Sequence, residues 1–480
     1  MFRRHLSLYK YLILFSVCFE SCCFKLLNKT ENTKEFISVT AYGTRGNGKN
    51  DDTKAIQNAF NHEKNVKFPK GRYLINSSSN GIHNAQSLII TNKTKVRNII
   101  FEDGAELYIG NDFNFKGSKN SIIKIYTESG NIDSIRITGL KIFAENINYT
   151  RNHTGLFAIE NNGFEIQNLE ISKASFYNLS GAGIITYALK TELSNIYTEN
   201  TSSHGIGALN PYNLGKEHFL YIDGYTSIND RAYSIDFSGT EHADNRKVAD
   251  SLDVWTGIAK NIKSINSKRG IKTAGYWNLH MENVEIINSA VYGLFINKDA
   301  PGRKITFKNM TIDNSGDAGL SLSGRTGFEG QNLKLINCKM GAILQNVDVK
   351  LKNIYFDGKG NSQKGIRFQG SGIIEDFIVT GVKDEYAVWI TAKNAILKNG
   401  KIFNNDCHTG LLIHETPENV IIDNIVIYDE RTNPIQVRDV MVLQKKGKIK
   451  IIEPALGLRD SKYKKLNIEN KSGIRIERSY

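Results

Sequence analysis

Gly293-Leu294-Phe295-Ile296, Gly319-Leu320-Ser321-Leu322 and Gly341-Ala342-Ile343-Leu344 follow one another at intervals of 26 and 22 residues. The same phrase appears earlier as Gly183-Ile184-Ile185-Thr186, Gly205-Ile206-Gly207-Ala208 and Gly270-Ile271-Lys272-Thr273. Later it returns as Gly365-Ile366-Arg367-Phe368 and Gly410-Leu411-Leu412-Ile413. A recurring period of this length marks a repeat architecture in which each unit stacks on its neighbours. The units are short β-rich stretches broken by Asn, Gly and Ser, which suits brief strands and tight turns.

A second phrase precedes the glycine strand in each unit. It reads Phe164-Glu165-Ile166-Gln167-Asn168-Leu169-Glu170-Ile171, Leu279-His280-Met281-Glu282-Asn283-Val284-Glu285-Ile286, Ile305-Thr306-Phe307-Lys308-Asn309-Met310-Thr311-Ile312 and Val420-Ile421-Ile422-Asp423-Asn424-Ile425-Val426-Ile427. Two alternating strands meet at a central Asn, a residue that tolerates the left-handed conformation and bonds its own turn. Three short strands per unit and about ten units give an all-β, single-stranded, right-handed parallel β-helix about 50 Å long.

The N-terminal part agrees. Asp51 or Asp52 is placed to cap a helix in which Ala55, Ile56, Ala59 and Phe60 recur at helical spacing. Val66 to Phe68, the turn Pro69-Lys70-Gly71 and Arg72 to Ile75 then read as strand, turn, strand. The run from Val39 to Ile75, with Gly43-Thr44-Arg45-Gly46-Asn47-Gly48 and Asp51-Asp52-Thr53-Lys54-Ala55-Ile56-Gln57-Asn58-Ala59, resembles the start of the pectin-lyase-like superfamily. That resemblance implies a right-handed parallel β-helix whose open end is capped by the helix. Hydrolases, lyases, epimerases and phage tailspikes share this opening, so it speaks to fold and not to reaction.

Before the repeats, Arg3, Arg4 and Lys10 precede the apolar run Tyr11 to Phe19, a signal-peptide layout too short to span a bilayer. Phe19-Glu20-Ser21-Cys22-Cys23 resembles a loose bacterial lipoprotein box with Cys22 as the lipidated residue; simple cleavage and secretion is the alternative. The expected organisation is a leader at 1–22, a tether at 23–36, the β-helix at 37–445 and a basic tail or cap at 446–480. The expected location is secreted or on the outer membrane or cell surface of a bacterium, as a monomer. Cys338 and Cys407 lie three units apart, about 14 Å, too far for a disulfide.

Sixty-two Lys and Arg face forty-nine Asp and Glu, a net charge of +13. Without residues 1–22 the balance is 59 to 48, or +11. An exported chain this basic is expected to meet an anionic partner: an acidic polysaccharide, nucleic acid or an anionic surface. Of these the acidic polysaccharide is expected, and nucleic acid is not.

Alternation assigns the faces. One outward column runs Ile185, Gly207, Asp236, Lys272, Phe295, Ser321, Ile343, Arg367, Trp389 and Leu412; the other holds Tyr187, Leu209, Ser238 and Ala274. Asp236 and Lys272 therefore sit on successive rungs about 5 Å apart. Tyr187, Phe295 and Trp389 offer flat surfaces on which sugar rings stack. Ser234 to Gly270 spans 36 residues, so a long loop leaves the helix just after Asp236, and long loops on a regular scaffold tend to carry function. It contains Glu241, His242, Asp244, Asp250 and Asp253.

These residues suit a glycoside hydrolase cleaving a uronic or sulfated polysaccharide. Asp236 would pair with a loop acid, Glu241 or Asp244 first among them, with one proton donor and one nucleophile or base. Lys272, Arg269, Arg231, Tyr187, Tyr276 and Phe295 would bind substrate, with no cofactor. The alternative is a polysaccharide lyase, with His204, Lys272, Arg269, His242, Tyr233 or Tyr276 as base or acid and calcium held by Asp236, Glu241 and Asp244. A non-catalytic glycan-binding adhesin is a third reading. Ser203-His204-Gly205 resembles the Gly-His-Gly of polygalacturonases, and Gly270-Ile271-Lys272-Thr273 their Arg-Ile-Lys-Thr phrase. Their Asn-Thr-Asp and paired-Asp phrases are absent. Size, capped start and mid-chain acids also resemble iota-carrageenases, whose Glu-Thr-Asp phrase has Glu241-His242-Ala243-Asp244 as its nearest equivalent.

Overall fold

The computed structural model describes residues 35–76, 85–111, 119–146, 152–160, 163–209, 217–238, 255–274, 277–296, 304–324, 327–403, 405–414, 418–428, 435–440, 448–453, 466–470 and 474–479. Over these residues the chain winds as a right-handed parallel β-helix, the hand expected of parallel crossovers. A long bent strand and a short strand alternate along the sequence, and each pairs in parallel with its counterpart one rung away. The long series runs Asn168–Tyr177, Lys190–Glu199, His218–Ile228, Trp255–Ile265 and Trp277–Ile287. The short series runs Ile184–Thr186, Ile206–Leu209, Tyr233–Ser238, Arg269–Thr273 and Tyr292–Ile296.

The repeated glycine has a steric cause. A Cβ at Gly183 would lie 2.7 Å from the Gly205 carbonyl oxygen, and one at Gly341 2.8 Å from that of Gly365. Rungs approach too closely there for any side chain. The following residues alternate as expected: Ile184, Ile206, Ile235, Ile271, Leu294 and Leu320 are all fully buried. Cys338 and Cys407 are both buried.

The bends in the long strands are left-handed asparagines. Asn195, Asn261, Asn283, Asn309, Asn332, Asn353 and Asn424 have φ of 52° to 59°. Their amides form a ladder: Asn283 donates to Asn261, Asn309 to Asn283 and Asn332 to Asn309, at 2.8 to 3.1 Å. One expected corner falls elsewhere. Asn168 is ordinary strand, and the bend is at Lys173, φ 52°, because the pairing of Ser172 with Ser194 and Ala174 with Ile196 aligns Lys173 with Asn195. A second ladder, at the strand ends, links Asn178, Asn200, Asn229, Asn266, Asn288, Asn314 and Asn337.

The helix spans Thr53–His62. Asp51 accepts from the Thr53 amide at 3.0 Å, while Asp52 bonds the Arg45 and Gly46 amides at 2.7 and 3.0 Å and so ties the glycine loop to the helix start. Ile56, Ala59 and Phe60 are buried. Gln57 accepts from the Ile89 amide at 2.7 Å and donates to its carbonyl at 3.0 Å. One side chain thereby occupies the open edge of the strand Ala85–Thr91, an edge that would otherwise be free to pair with another chain. At the other end, strand pairing continues past Lys445: Lys448–Ile452 pairs with Asn419–Ile427 and with Ile476–Ser479. No helix among the described residues is long and apolar enough to cross a membrane. Cys22 and the leader lie outside the described residues.

Candidate functional site

Asp236 pairs in register with Gly207 on one side and Lys272 on the other, the arrangement that alternation implies. Although it points away from the core, Asp236 is only 3 % exposed. Its neighbours cover it. Ser238 donates to Oδ1 at 2.6 Å, Lys272 Nζ lies 3.5 Å from Oδ2, and His204 Nε2 lies 3.7 Å from the same oxygen. Lys272 Nζ also reaches Ser238 Oγ at 3.4 Å. Lys272 and His204 are themselves largely covered, with side-chain exposures of 12 % and 21 %.

Tyr233 closes the cluster. Its ring stacks on His204 with centroids 5.5 Å apart, and both Arg269 Cζ and Lys272 Nζ lie 5.3 Å from its centroid. Burial pushes the His204 imidazole below its ordinary range; Asp236 pulls it up and Lys272 presses it down further. It is therefore neutral at pH 7. The site joins one carboxylate, one neutral imidazole, one phenol and two cations.

Two glycines frame it for opposite reasons. A Cβ at Gly207 would make only ordinary contacts, 3.5 Å from Ile185 and 3.6 Å from His204, so its lack of a side chain leaves room for a methyl-sized group beside Asp236. Gly205 faces inward, where a Cβ would collide with Asp230, Thr198 and the Tyr225 hydroxyl. Asp230 is fully buried and accepts from Ser227, Thr201 and Thr198 at 2.6 to 2.8 Å. Ser227 continues to Ser234 at 2.9 Å, and Ser234 to Ser267 at 2.8 Å. Burial raises the Asp230 carboxyl and the hydroxyl donors oppose that rise. This network fixes, from inside the coil, the start of the strand that carries Asp236.

Other expected residues are dispersed. Phe295 is the next column member after Lys272 and stacks on Tyr292 at 5.1 Å. Tyr187 packs edge-on against Phe157 at 5.9 Å, two rungs before Ser238. Arg231 sits exposed in the turn before the Asp236 strand. Glu241, Asp244, Tyr276, His242, Asp250 and Asp253 lie outside the described residues. Ser238 and Tyr233 belong to the cluster more closely than their place in the sequence suggests. The column also extends N-terminally to Lys124, which pairs with Phe157 and whose burial lowers it to about 8.

The described part of the site does not suit calcium. That ion takes six to eight oxygen ligands, whereas Asp236 is the sole carboxylate here and a lysine stands against it. Among the described residues no group of three metal-ligating side chains occurs.

The sequence matches no protein-family model and no curated protein. Solved structures with a similar backbone course include the N-terminal fragment of bacteriophage Phi29 gene product 12, at 13 % identity and TM-score 0.42, covering 91 % of this chain and 85 % of that one. The catalytic unit of a GH87 alpha-1,3-glucanase from Streptomyces thermodiastaticus is similar at 14 % identity and TM-score 0.35, covering 72 % and 69 %. PfbA, a surface adhesin of Streptococcus pneumoniae, is similar at 12 % identity and TM-score 0.31, covering 91 % and 100 %.

Proposed function

We propose that this chain acts on an acidic polysaccharide, and that its reaction is β-elimination at a uronate. The observation that carries this reading is the described part of the Asp236 cluster: a buried carboxylate flanked by a neutral imidazole and two cations. Hydrolysis calls for two carboxyl groups across the scissile bond; among the described residues the cluster holds one. Elimination calls for a base near neutral pH and for positive charge on the substrate carboxylate, whose neutralisation makes the adjacent C–H acidic.

In this reading the His204 imidazole takes the C5 proton. The electron pair forms the C4–C5 double bond, the C4–O bond breaks, and the leaving oxygen takes a proton from the Tyr233 hydroxyl. Arg269 and Lys272 face the substrate carboxylate. Asp236 orients His204 and Lys272, and the absent side chain at Gly207 lets the sugar approach without a clash there. The basic surface favours encounter with a polyanion.

The test is a screen against pectate, alginate, ulvan, carrageenans and glycosaminoglycans. Ultraviolet-absorbing unsaturated ends that appear with each cut, and vanish in His204→Gln, are the expected outcome. New reducing ends without that absorbance would replace this reading with hydrolysis by Asp236 and an acid from the 239–254 segment.

A further inference from the structure

Five rungs beyond Asp236 on the same column, a second polar patch interrupts the apolar surface. Arg367 lays its guanidinium over the Trp389 indole, with Cζ 4.4 Å from the ring centroid. A guanidinium stacked this way keeps its N–H edge for a planar oxyanion. Lys364 nearby is paired with Glu385 at 2.9 Å, whereas Arg367 has no carboxylate in ion-pair range among the described residues. Four buried polar atoms here have no hydrogen-bond partner: Arg367 Nε, Trp389 Nε1, Gln369 Oε1 and Thr391 Oγ1. Thr391 is 6 % exposed; the other three side chains are half-buried and border solvent.

Each such atom is destabilising if nothing meets it. Other buried polar atoms without a partner are spread along the chain, whereas these four lie on two successive rungs of one face. The partly exposed guanidinium and indole ring form the surface of the patch, and an indole N–H, an amide oxygen and a hydroxyl lie just beneath them. That set matches a sugar bearing an oxyanion and hydroxyls.

We infer that Arg367, Gln369, Trp389 and Thr391 form a second saccharide site, for a residue carrying a carboxylate or a sulfate, about 24–29 Å along the column from Asp236 at about 4.8 Å per rung. It deepens the reading above, since the ligand class rests on an acidic polysaccharide as substrate. A single extended chain could occupy both places, the distal one holding the polymer while the proximal one reacts.

The experiment titrates the full chain with oligogalacturonates, sulfated carrageenan oligosaccharides and neutral cello-oligosaccharides, by calorimetry and tryptophan fluorescence. One acidic series is expected to bind, and which one it is separates carboxylate from sulfate. The neutral series is expected not to bind. Arg367→Gln should weaken binding by about tenfold or more, and Trp389→Phe, which keeps a ring but removes the N–H, should weaken it and abolish the fluorescence response. Melting temperatures establish that each variant is folded; if Arg367→Gln is not, Arg367→Lys, which keeps the charge but loses the fork, serves in its place. Unchanged affinity in the folded variants, or no acidic oligosaccharide bound by the wild type, overturns the second site. Binding that depends on Arg367 without degradation of any polymer would overturn the elimination reading and leave this site standing. Elimination at full rate with Arg367-independent binding would do the reverse.

Discussion

His204 is the residue on which the chemistry turns, and its environment makes opposite demands on it. Burial and Lys272 hold it neutral, while Asp236 favours the imidazolium. The acid limb of kcat/KM reports the free enzyme's base, so it should lie below the ordinary histidine value. The two neighbours should move that limb in opposite directions. Asp236→Asn removes the influence that raises the imidazole, and the limb shifts to lower pH. Lys272→Met removes one that lowers it, and the limb shifts to higher pH. Profiles from the two variants that shift the same way would show that His204 is not the titrating group. The residue itself was visible in the sequence as Ser203-His204-Gly205, and its column address follows from counting. Its burial was not visible, nor was its stacking on Tyr233, because both depend on the packing of adjacent rungs at the turn before each short strand.

At the scale of the strand and its corner, asparagine carries the load. Asn288 has φ 56°, donates to Asn266 at 3.0 Å and accepts from Asn314 at 2.8 Å. Replacing it with Ala forces a Cβ-bearing residue without a polar side chain into the left-handed region, at about 1–2 kcal/mol, and breaks two ladder bonds. Gly removes the backbone strain but not the lost bonds. Thermal melting should therefore rank wild type above Asn288→Gly above Asn288→Ala; the reverse order of the two variants would show that left-handed backbone strain does not set the corner. The corners within the long strands were legible from the phrases at Asn283, Asn309 and Asn424. Asn168 was misleading, since it occupies the same place in a similar phrase five residues out of register. The strand-end ladder escaped notice because its asparagines lie outside any phrase of alternating apolar residues.

For the molecule as a whole, the period of the glycine phrase sufficed to give the architecture, and a glycine that admits no Cβ explains why the period is so regular. The candidate site was legible only in part: the Asp236–Lys272 pairing follows from register, while the inward hydroxyl network around Asp230 joins residues of three rungs that no local pattern links. One buried group outside the site makes the fold sensitive to acid between pH 6.5 and about 4. His218 is 4 % exposed, packs edge-on against Trp255, and burial lowers it from 6.5 to about 4. The unfolded chain takes up this proton first as pH falls, so the stabilisation is complete above 6.5 and is lost progressively toward 4, at most about 3 kcal/mol. Chemical denaturation between those limits should show a slope that His218→Gln reduces; an unchanged slope would place the acid sensitivity elsewhere. The central claim, proton abstraction rather than attack by water, is tested most directly by degrading the polymer in heavy-oxygen water and weighing the products. Elimination places no solvent oxygen in the new chain ends, which is the result expected for the wild type. One heavy oxygen per cut would contradict it.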